Sequence, residues 1–474
     1  MEGLSLDIEN QIADVFKLQQ NAVVRMRNSS AKYRIQQLKR LKQYILDHEK
    51  DILEAMYKDF KKPASEVLLA EIFGIKHEID QIINSLSDWM KPKSVSNPLF
   101  LTGTSSFIQY ESKGLSLILS PWNYPLNLCI NPLALSIAAG NTVILKPSEL
   151  TPNVSHFIKQ MIIHLFDKSE VYVFEGESHV ASALLKLKFD HIFFTGSPAI
   201  GKKVMEAASK HLISVTLELG GKSPAIVHES VDLSVTAKKI IWGKFFNNGQ
   251  TCIAPDYLFV HSSIFESFLE ALKTEIIHMY GETIADYSKS NSYARIVNER
   301  HFQRLMHLLE DAIVKGAKKF FGGENNPSDN LLMPTLLTNV TEDMQVMIDE
   351  IFGPILPIMP FHHVEELVEY FKDKDKPLAF YIFSKDKEFD QFLLQNTSSG
   401  TAVINDSLIQ FGHPNLPFGG VNHSGIGKTS GYFGFLEFSN QKSVIRQRTN
   451  LMQMIYPPYT IKVRWMIEKM VKWL

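Results

Sequence analysis

The feature that most constrains this chain is a series of short apolar runs, from Gly114 onward, that alternate with helical sequence. Runs of this length suit strands that are buried on both faces, and the segments between them are long enough for crossover helices. The pattern therefore predicts parallel β-α-β units and an α/β fold with a Rossmann-type parallel sheet. The candidate strands are residues 115–119, 142–145, 171–174 and 191–194, and a candidate helix spans residues 131–139.

The carboxyl ends of these strands are the expected ligand site, because ligands of open parallel sheets bind there. Lys146 follows one candidate strand, and Thr195 and Gly196 follow another. A second α/β region is expected over residues 217–405. Before Gly114, residues 8–90 have apolar residues at helical spacing and predict a series of helices.

The charge balance and the cysteine count exclude several classes of protein. Lys+Arg total 49 and Asp+Glu total 51, so no basic surface for nucleic acid is expected. Two cysteines cannot form a disulfide framework and suit a reducing compartment. The N-terminus lacks the basic start of a signal peptide, and no apolar run reaches the ~18 residues of a membrane span. These features predict a cytoplasmic protein.

Cys252 is the candidate nucleophile. It follows the polar sequence Phe246-Asn-Asn-Gly-Gln-Thr251, which is expected to bring a thiol to a surface or a cleft. Cys129 has apolar neighbours on both sides, so it is expected to be the more usual small buried residue. An unperturbed thiol has a pKa near 8.5 and is only about 3% thiolate at pH 7, so Cys252 needs a lowered pKa or a base.

Glu218, in Leu217-Glu218-Leu219-Gly220-Gly221, is the candidate base. No histidine is adjacent to Cys252 in sequence, although a remote histidine remains an alternative. The two glycines allow the backbone to approach closely and leave the carboxylate room to move. An acid at a strand end is also commonly a solvated turn residue, so this segment alone leaves both interpretations open.

Together these segments resemble the aldehyde dehydrogenase family. The segments around Cys252 and Glu218 are similar to the two signature motifs of that family. The residues after Cys252, the late Tyr456-Pro-Pro-Tyr459 and the compact N-terminus resemble its class 3 branch, which handles fatty and aromatic aldehydes. Further family motifs, in the same order along the chain, are matched by Pro121-Trp-Asn-Tyr-Pro125, Lys146-Pro-Ser-Glu149, Phe194-Thr-Gly-Ser197 and Glu350-Ile-Phe-Gly-Pro354.

The resemblance implies a role for each catalytic residue. Cys252 would attack the aldehyde carbon to give a thiohemiacetal. The Asn123 side-chain amide and the Cys252 backbone N–H would stabilise the oxyanion. After hydride transfer to the nicotinamide, Glu218 would activate the water that hydrolyses the thioester, which requires burial to raise its pKa. No metal is implied.

The implied cofactor site departs from the common dinucleotide fingerprint. A helix that begins within residues 196–201 would place its N-terminus near the pyrophosphate, in place of a Gly-x-Gly-x-x-Gly turn. The Glu149 carboxylate should repel a 2′-phosphate, so NAD+ is expected, with NADP+ as an alternative. The implied contacts are the adenosine ribose for Lys146 and Glu149, the pyrophosphate for Gly196, Ser197 and Gly201, the nicotinamide ribose for Glu350 and the nicotinamide ring for Phe352.

A late glycine-rich segment ends like a phosphate-binding P-loop, in Gly427-Lys428-Thr429. That motif needs a glycine five residues before Gly427, where this chain has Asn422. The segment is instead similar to the family's loop on the substrate side, so Phe418 is expected to face the aldehyde. The same resemblance places Tyr124 and Thr251 in the substrate pocket.

The resemblance also implies a homodimer and a division into domains. A cofactor domain, an α/β catalytic domain and a small β bridging or oligomerisation segment are expected. The boundaries are residues 1–97 and 115–217 for the N-terminal helices and the cofactor domain, 218–405 for the catalytic domain, 98–114 and 406–445 for the bridging segment and 446–474 for a C-terminal tail.

The tail predicts an amphipathic helix. Seven of its apolar residues fall within an arc of about 160° at helical spacing, and charged residues occupy the other side, whereas Ile461 and Trp465 break the pattern. Three interpretations stay open: packing on its own subunit or a dimer partner, a lid over the aldehyde tunnel, and contact with a membrane surface. The apolar residues within the arc are Val463, Met466, Ile467, Met470, Val471, Trp473 and Leu474.

The leading hypothesis is NAD(P)-dependent oxidation of medium-chain, long-chain or aromatic aldehydes to carboxylic acids. A coenzyme A-acylating enzyme of the same family would not need Glu218 as a hydrolytic base. A cysteine hydrolase would need a Cys–His pair and no nicotinamide. A non-catalytic binding protein on the same fold would have no reason to keep Cys252, Glu218 and Asn123 together.

Overall fold

Two largely parallel β-sheets organise the molecule, and helices pack on both faces of each. The computed structural model describes residues 2–449 and 451–473. The alternation of strand and helix predicted from the sequence is confirmed. The strands are β1 Lys93–Val95, β2 Thr104–Ser112, β3 Leu115–Leu119, β4 Thr142–Lys146, β5 Val171–Val173, β6 His191–Gly196, β7 Ser214–Leu219, β8 Pro224–Val227, β9 Tyr257–His261, β10 Lys318–Phe321, β11 Asn325–Asn326, β12 Leu331–Leu332, β13 Thr335–Thr338, β14 Ile355–Phe361, β15 Ala379–Phe383, β16 Thr401–Ile404, β17 Gly425–Ile426 and β18 Ser439–Gln447.

The N-terminal region is helical, as its apolar spacing predicted, and Ser30 caps the second helix by accepting from the Tyr33 backbone N–H. A π-helical segment, Leu68–Phe73, joins the fourth and fifth helices. The α-helices are α1 Glu2–Arg27, α2 Ala31–Asp47, α3 Glu49–Phe60, α4 Ala64–Val67, α5 Gly74–Trp89, α6 Asn127–Ala139, α7 Pro152–Leu165, α8 Ser178–Leu184, α9 Pro198–Ser209, α10 Leu233–Phe245, α11 Phe265–Tyr280, α12 Ile284–Lys289, α13 Glu299–Val314, α14 Gln345–Ile348, α15 Val364–Lys372, α16 Lys387–Asn396, α17 Gly431–Glu437 and α18 Ile461–Trp473.

Helix α6 begins four residues earlier than predicted. A proline is usually found in the first turn of a helix, but Pro132 lies inside α6. The earlier start at Asn127 is stabilised by Glu71, whose carboxylate accepts a hydrogen bond from the Asn127 backbone N–H at 2.8 Å. This partner is 56 residues away in sequence, so no local pattern could show it.

The first sheet has the strand order β17-β7-β6-β3-β4-β5. Its five strands β3 to β7 run parallel, and β17 pairs antiparallel with β7. Leu117 and Ile118 of β3 belong to the hydrophobic cores on opposite faces of the sheet, because successive side chains of a strand alternate. The order of the strands reverses between β3 and β6, which is where doubly wound sheets bind ligands.

The second sheet has the order β10-β13-β14-β9-β8-β15-β16, and only β10 at its edge runs antiparallel. Residues Phe246–Gly249, which follow α10, lie between the strands β8 and β9 in sequence. The loop that carries Cys252 is therefore the connection between two adjacent strands of this sheet.

Strands β1, β2 and β18 form a small antiparallel sheet, and most residues of β18 are exposed. The predicted C-terminal helix is present as α18, with Ile461 and Val471 strongly exposed and Met466 and Ile467 half-buried. Within residues 2–449 and 451–473, no helix combines the length and apolar composition that a membrane span requires. The predicted domain boundaries stay predictions.

Candidate active site

Cys252 follows a tight left-handed turn at the end of α10. Within Phe246–Gly249, the residues 247–249 have φ angles of 54°, 57° and 72°. Asparagine tolerates this region better than most residues, and glycine has no Cβ to clash. A Cβ on Gly249 would lie 2.4 Å from the carbonyl oxygen of Gly353, so this close backbone approach requires glycine.

The polar side chains of this turn are buried. The Asn248 Nδ2 donates to the Ala294 carbonyl oxygen at 2.7 Å. The Gln250 Nε2 donates to the Arg295 carbonyl oxygen at 3.0 Å, and its Oε1 accepts from the Val297 N–H at 3.0 Å. The polar sequence was expected to bring the thiol to a surface or a cleft, and Cys252 does line two cavities. The turn itself is buried, because residues 294–297 supply the hydrogen bonds that water would otherwise make.

Asn123 lies beside this turn, on the loop after β3. Its Nδ2 donates to the Gln250 carbonyl oxygen at 3.0 Å. A side-chain amide has two N–H donors, so one is left for a ligand in the cavity that Asn123 lines. The hydroxyl groups of the next residue, Tyr124, and of Thr251 form a hydrogen bond of 2.6 Å, adjacent to Cys252.

Glu218 lies near the end of β7, opposite Gly425 of β17. Among the described residues, neither of its carboxylate oxygens has a hydrogen-bond partner. Burial raises the pKa of the Glu218 carboxyl well above its usual range, and the Lys428 ammonium opposes that rise only in part. The direction is the one expected from the sequence. A buried carboxyl with a raised pKa in a cleft is a candidate base.

The glycine-rich segment after Phe418 is not built to hold a phosphate. Part of it forms β17, and the Phe418 and Thr429 backbones bridge across it. The Lys428 ammonium donates to the carbonyl oxygens of Gly419 and Gly420 at 2.5 and 3.0 Å. The lysine that a P-loop would present to phosphate is thus bonded to its own loop.

The thiol of Cys252 is not activated by a lowered pKa in this structure. Burial raises the pKa of the Cys252 thiol to about 12, and the Glu350 and Glu218 carboxyls add to the rise. The backbone N–H groups of Cys252 and Ile253 oppose it. The sequence left two ways to activate the thiol, a lowered pKa or a neighbouring base, and the structure favours the base. Glu218 lines the same two cavities as Cys252.

The larger cavity, about 780 Å³, opens where the strand order reverses between β3 and β6. Gly196 and Ser197 line it at the N-terminus of α9, and Pro198 occupies the first position of that helix. The free N–H groups and the dipole of a helix N-terminus favour an anion such as a pyrophosphate. Its volume is within the usual range for small-molecule and cofactor sites. The residues present therefore fit a dinucleotide.

Glu350 and Phe352 line this cavity near Cys252. A Cβ on Gly220 would lie 2.2 Å from Glu350 Oε2. Burial raises the pKa of Glu350 to about 8. The Phe352 and Trp122 rings pack edge to face with centroids 5.4 Å apart. Gly220 thus leaves room for Glu350 to reach the cavity.

Three predicted cofactor residues lie outside the described lining of this cavity. Lys146 and Glu149, after β4, form an ion pair of 2.5 Å with each other. A Cβ on Gly201 would lie 2.7 Å from the Leu219 side chain, so this glycine permits close packing of α9 on β7. The contacts of all three with a cofactor stay predictions.

The second cavity, about 340 Å³, meets the first at Cys252 and Glu218. The three predicted substrate-pocket residues, Tyr124, Thr251 and Phe418, all line it. Most of the remaining lining is apolar, and includes Leu69, Phe73, Leu135, Trp242, Phe246 and Ile409.

The comparison with known families decides the identity of the fold. The profile of the aldehyde dehydrogenase family matches residues 5–444. The chain belongs to that family. It is therefore an NAD(P)-dependent oxidoreductase that oxidises aldehydes. The family predicted from the sequence is confirmed, and so is the predicted fold, with its Rossmann-type cofactor sheet, α/β catalytic sheet and small β segment.

Individual relatives span nearly the whole of this aldehyde dehydrogenase. It is 47% identical over 441 residues to the putative aldehyde dehydrogenase AldX of Bacillus subtilis, covering 93% of this chain and 98% of the relative. It is 40% identical to aldehyde dehydrogenase family 3 member A2 of Pongo abelii, covering 93% and 90%. A solved structure of Staphylococcus aureus AldH in a substrate-bound state matches with a TM-score of 0.92 at 40% identity, covering 97% and 99%.

Sequence reasoning missed a group of charged residues behind the catalytic loop of this aldehyde dehydrogenase, which includes Lys62 and Glu71. A signal was present. Glu71 and Glu78 stand at helical spacing with Ile75 and Ile82, on the side of the helical segment that faces the core. An acid in a core-facing position needs a buried partner, and Lys62 provides one for Glu71.

Proposed function

We propose that this enzyme oxidises medium-chain, long-chain or aromatic aldehydes to carboxylic acids with NAD+. One observation carries the proposal: Cys252 and Glu218 line both cavities. A cavity that fits a dinucleotide and a mostly apolar cavity thus meet at a thiol and a candidate base. The apolar lining supports a hydrocarbon substrate, since apolar groups gain free energy when they leave water.

The chemistry begins at the Cys252 thiol, which lines both cavities. Glu218 accepts the thiol proton, and Sγ of Cys252 adds to the aldehyde carbon to form a thiohemiacetal. The oxyanion accepts hydrogen bonds from the second N–H of Asn123 and from the Cys252 backbone N–H. The bound nicotinamide supplies the acceptor for the hydride. Glu218 releases the thiol proton to solvent and then takes a proton from the water that attacks the thioester. That proton passes to the sulfur as the acid leaves, which restores the thiol.

Residues around the larger cavity would hold the cofactor. Gly196 and Ser197 would meet the pyrophosphate, Glu350 the nicotinamide ribose and Phe352 the nicotinamide ring. Lys146 and Glu149 would hold the adenosine ribose just beyond the cavity, where the exposed fraction of the Glu149 side chain is 37%.

A homologous series of straight-chain aldehydes, from three to sixteen carbons, tests the substrate class. With NAD+ and no coenzyme A, formation of reduced cofactor and of acid is expected. Each methylene that enters the apolar cavity should raise kcat/KM by up to about fourfold, the equivalent of about 0.8 kcal/mol. A flat series would refute the hydrocarbon site, and turnover that requires coenzyme A would favour the acylating alternative.

The cofactor preference has its own test. We expect a higher kcat/KM with NAD+ than with NADP+, because the Glu149 carboxylate repels a 2′-phosphate. Glu149→Gln should narrow the difference by about tenfold or more, since removing one like charge near a phosphate relieves several kT of repulsion. If the ratio of kcat/KM with NAD+ to kcat/KM with NADP+ does not change, residues other than Glu149 discriminate between the two cofactors.

The proposal includes a homodimer. β16 and β18 are outer strands of their sheets, and an outer strand has backbone groups that can pair with a second chain. For α18 the three interpretations stay open, and deleting residues 460–474 separates them. Unchanged chain-length preference would exclude a lid, and unchanged vesicle binding would exclude a membrane contact.

A further inference from the structure

Three ionisable side chains from the N-terminal helical region are buried behind the catalytic loop. They are Lys62, Glu66 and Glu71, with exposed fractions of 1%, 9% and 0%. The Lys62 ammonium donates to Glu71 Oε1 at 2.8 Å and to the backbone carbonyl oxygen of Asn123 at 3.2 Å. It also lies 3.9 Å from the centroid of the Tyr124 ring. We call these three residues the rear cluster.

The rear cluster contacts the Cys252 loop as well. Glu66 Oε2 accepts from the Asn247 backbone N–H at 2.9 Å. The Asn247 side chain donates in turn to the carbonyl oxygens of Asn123 and Gln250, at 3.0 and 3.1 Å. The Asn123 carbonyl oxygen therefore accepts from both Lys62 and Asn247. Both segments that carry the proposed oxyanion donors are held from the same side.

Stability alone does not account for buried charges here. Taking an ion pair out of water costs several kcal/mol per ion, and apolar residues of similar volume are often at least as stabilising. Burial lowers the pKa of Lys62 and raises the pKa of Glu66 to about 7. What the charged groups provide and apolar groups cannot is directed hydrogen bonds to the Asn123 carbonyl and the Asn247 amide.

We propose that Lys62, Glu66 and Glu71 are positioning residues for the oxyanion site of this enzyme. They line neither cavity in the described part of the chain and act through Asn123 and Asn247. Lys62 fixes the Asn123 backbone, Glu71 fixes Lys62, and Glu66 fixes the Cys252 loop. The inference rests on the proposed role of Asn123.

The first test compares substitutions within the rear cluster. Glu66→Leu removes the acceptor for the Asn247 N–H, whereas Glu66→Gln keeps a carbonyl oxygen there. We expect kcat to fall about 10–100-fold in the first variant and to be largely retained in the second, since small misplacements of catalytic groups cost up to about 100-fold. The Kd for NAD+ should not change. Lys62→Met leaves the buried Glu71 carboxylate without its cation. The double variant Lys62→Met/Glu71→Gln removes that charge and is measured beside the single variant.

A second readout reports the oxyanion site itself. The Cys252 thiol adds across the carbonyl group of a long-chain trifluoromethyl ketone. The sulfur bonds to the carbonyl carbon, the thiol proton passes to the carbonyl oxygen, and nothing is oxidised or reduced. The adduct needs the oxyanion donors but no hydride transfer. We expect the affinity for the ketone to fall in parallel with kcat in the rear-cluster variants. Lys76→Met, which removes an exposed ion pair with Asp80, is the matched control and should change neither.

A double-mutant cycle with Asn123→Ala decides the inference. Asn123→Ala alone should lower kcat about 10²–10³-fold. In that background the Lys62 and Glu71 substitutions should lower kcat by less than about threefold, because their route of action through Asn123 is already lost. Glu66→Leu acts on the Cys252 loop through Asn247 and should keep most of its effect. If Asn123→Ala has no effect, the proposed role of Asn123 fails. If it lowers kcat and the effects of the Lys62 and Glu71 substitutions remain fully additive with it, or ketone affinity stays constant in the rear-cluster variants, only the positioning role is overturned.

Discussion

The two cysteines of this chain both have a raised thiol pKa, but their surroundings differ. Burial raises the pKa of both thiols to about 12. Cys129 is fully buried in α6, within an apolar core cluster. Cys252 lines two cavities that it shares with Glu218. The pKa of the isolated thiol therefore does not separate a structural cysteine from a proposed nucleophile.

What separates them is access and a neighbouring base. Cys129 lines neither of the two cavities. No carboxyl is among the groups that shift the pKa of Cys129, whereas the Glu350 and Glu218 carboxyls both raise the pKa of Cys252. A protonated thiol is a weak nucleophile and metal ligand, so a buried one without access stays inert. A buried thiol beside a carboxyl of raised pKa can lose its proton when substrate arrives.

The largest expected effect is that of Cys252→Ala. Removing the nucleophile from a site whose catalytic residues act as a unit typically lowers kcat about 10⁴-fold or more. Cys129→Ala should leave kcat within about twofold, since it touches neither cavity. Alkylation by iodoacetamide, followed by mass spectrometry, should label Cys252 and leave Cys129 unmodified in the folded enzyme. Equal loss of turnover in both variants would contradict the comparison.

The second effect concerns the base. Glu218→Gln keeps the shape of the side chain and removes its ability to take a proton, which should lower kcat about 10²–10⁴-fold. If hydrolysis of the thioester becomes the slow step, rapid mixing with aldehyde and NAD+ should show one equivalent of reduced cofactor per active site, followed by slow turnover. A loss of this burst would assign Glu218 mainly to activation of the thiol.

The third effect is a pH dependence with opposite signs for activity and stability. The pKa of Glu218 is raised, so kcat should increase about tenfold per pH unit until that pKa is passed and then level off. The folded chain binds this proton more tightly than the unfolded chain does. The free energy of unfolding should therefore fall as pH rises from the unfolded-state pKa through the folded-state pKa. Glu218→Gln should abolish the rise in kcat. It should make the fall in stability shallower without removing it, because Glu66 and Glu350 also have raised pKa values.

Much of the fold was predictable from the sequence, because strands buried on both faces are continuous apolar runs. β3 has the predicted bounds, and β4 is one residue longer than predicted. The Cys252 and Glu218 segments were recognised as family motifs, and burial of Glu218 raises its pKa as its role required. Asparagine pairs before glycine also favour the left-handed turn that the structure has at Asn247 and Asn248.

The parts that could not be predicted depend on contacts between distant residues. The Gln250 side chain is buried because residues 295 and 297 supply its partners, and nothing in the local sequence distinguishes it from a solvated loop residue. The Lys62–Glu71 pair joins the loop between α3 and α4 to the π-helical segment, and its link to Asn123 spans 61 residues. Helical periodicity reveals which face is buried, but not which remote backbone group that face will meet.

The smallest expected effect sharpens the comparison from the structural side. Cys129→Ser places a hydroxyl group in a largely apolar core, where the Ser120 hydroxyl is within reach as a partner, so the free energy of unfolding should fall by about 1 kcal/mol. Cys252→Ser faces a cavity where a ligand or water can solvate the hydroxyl, so its stability should change by less. Urea unfolding monitored by fluorescence measures both, with kcat of Cys129→Ser as the control for an intact site. A larger loss of stability for Cys252→Ser than for Cys129→Ser would show that burial, and not access to the cavities, dominates at Cys252.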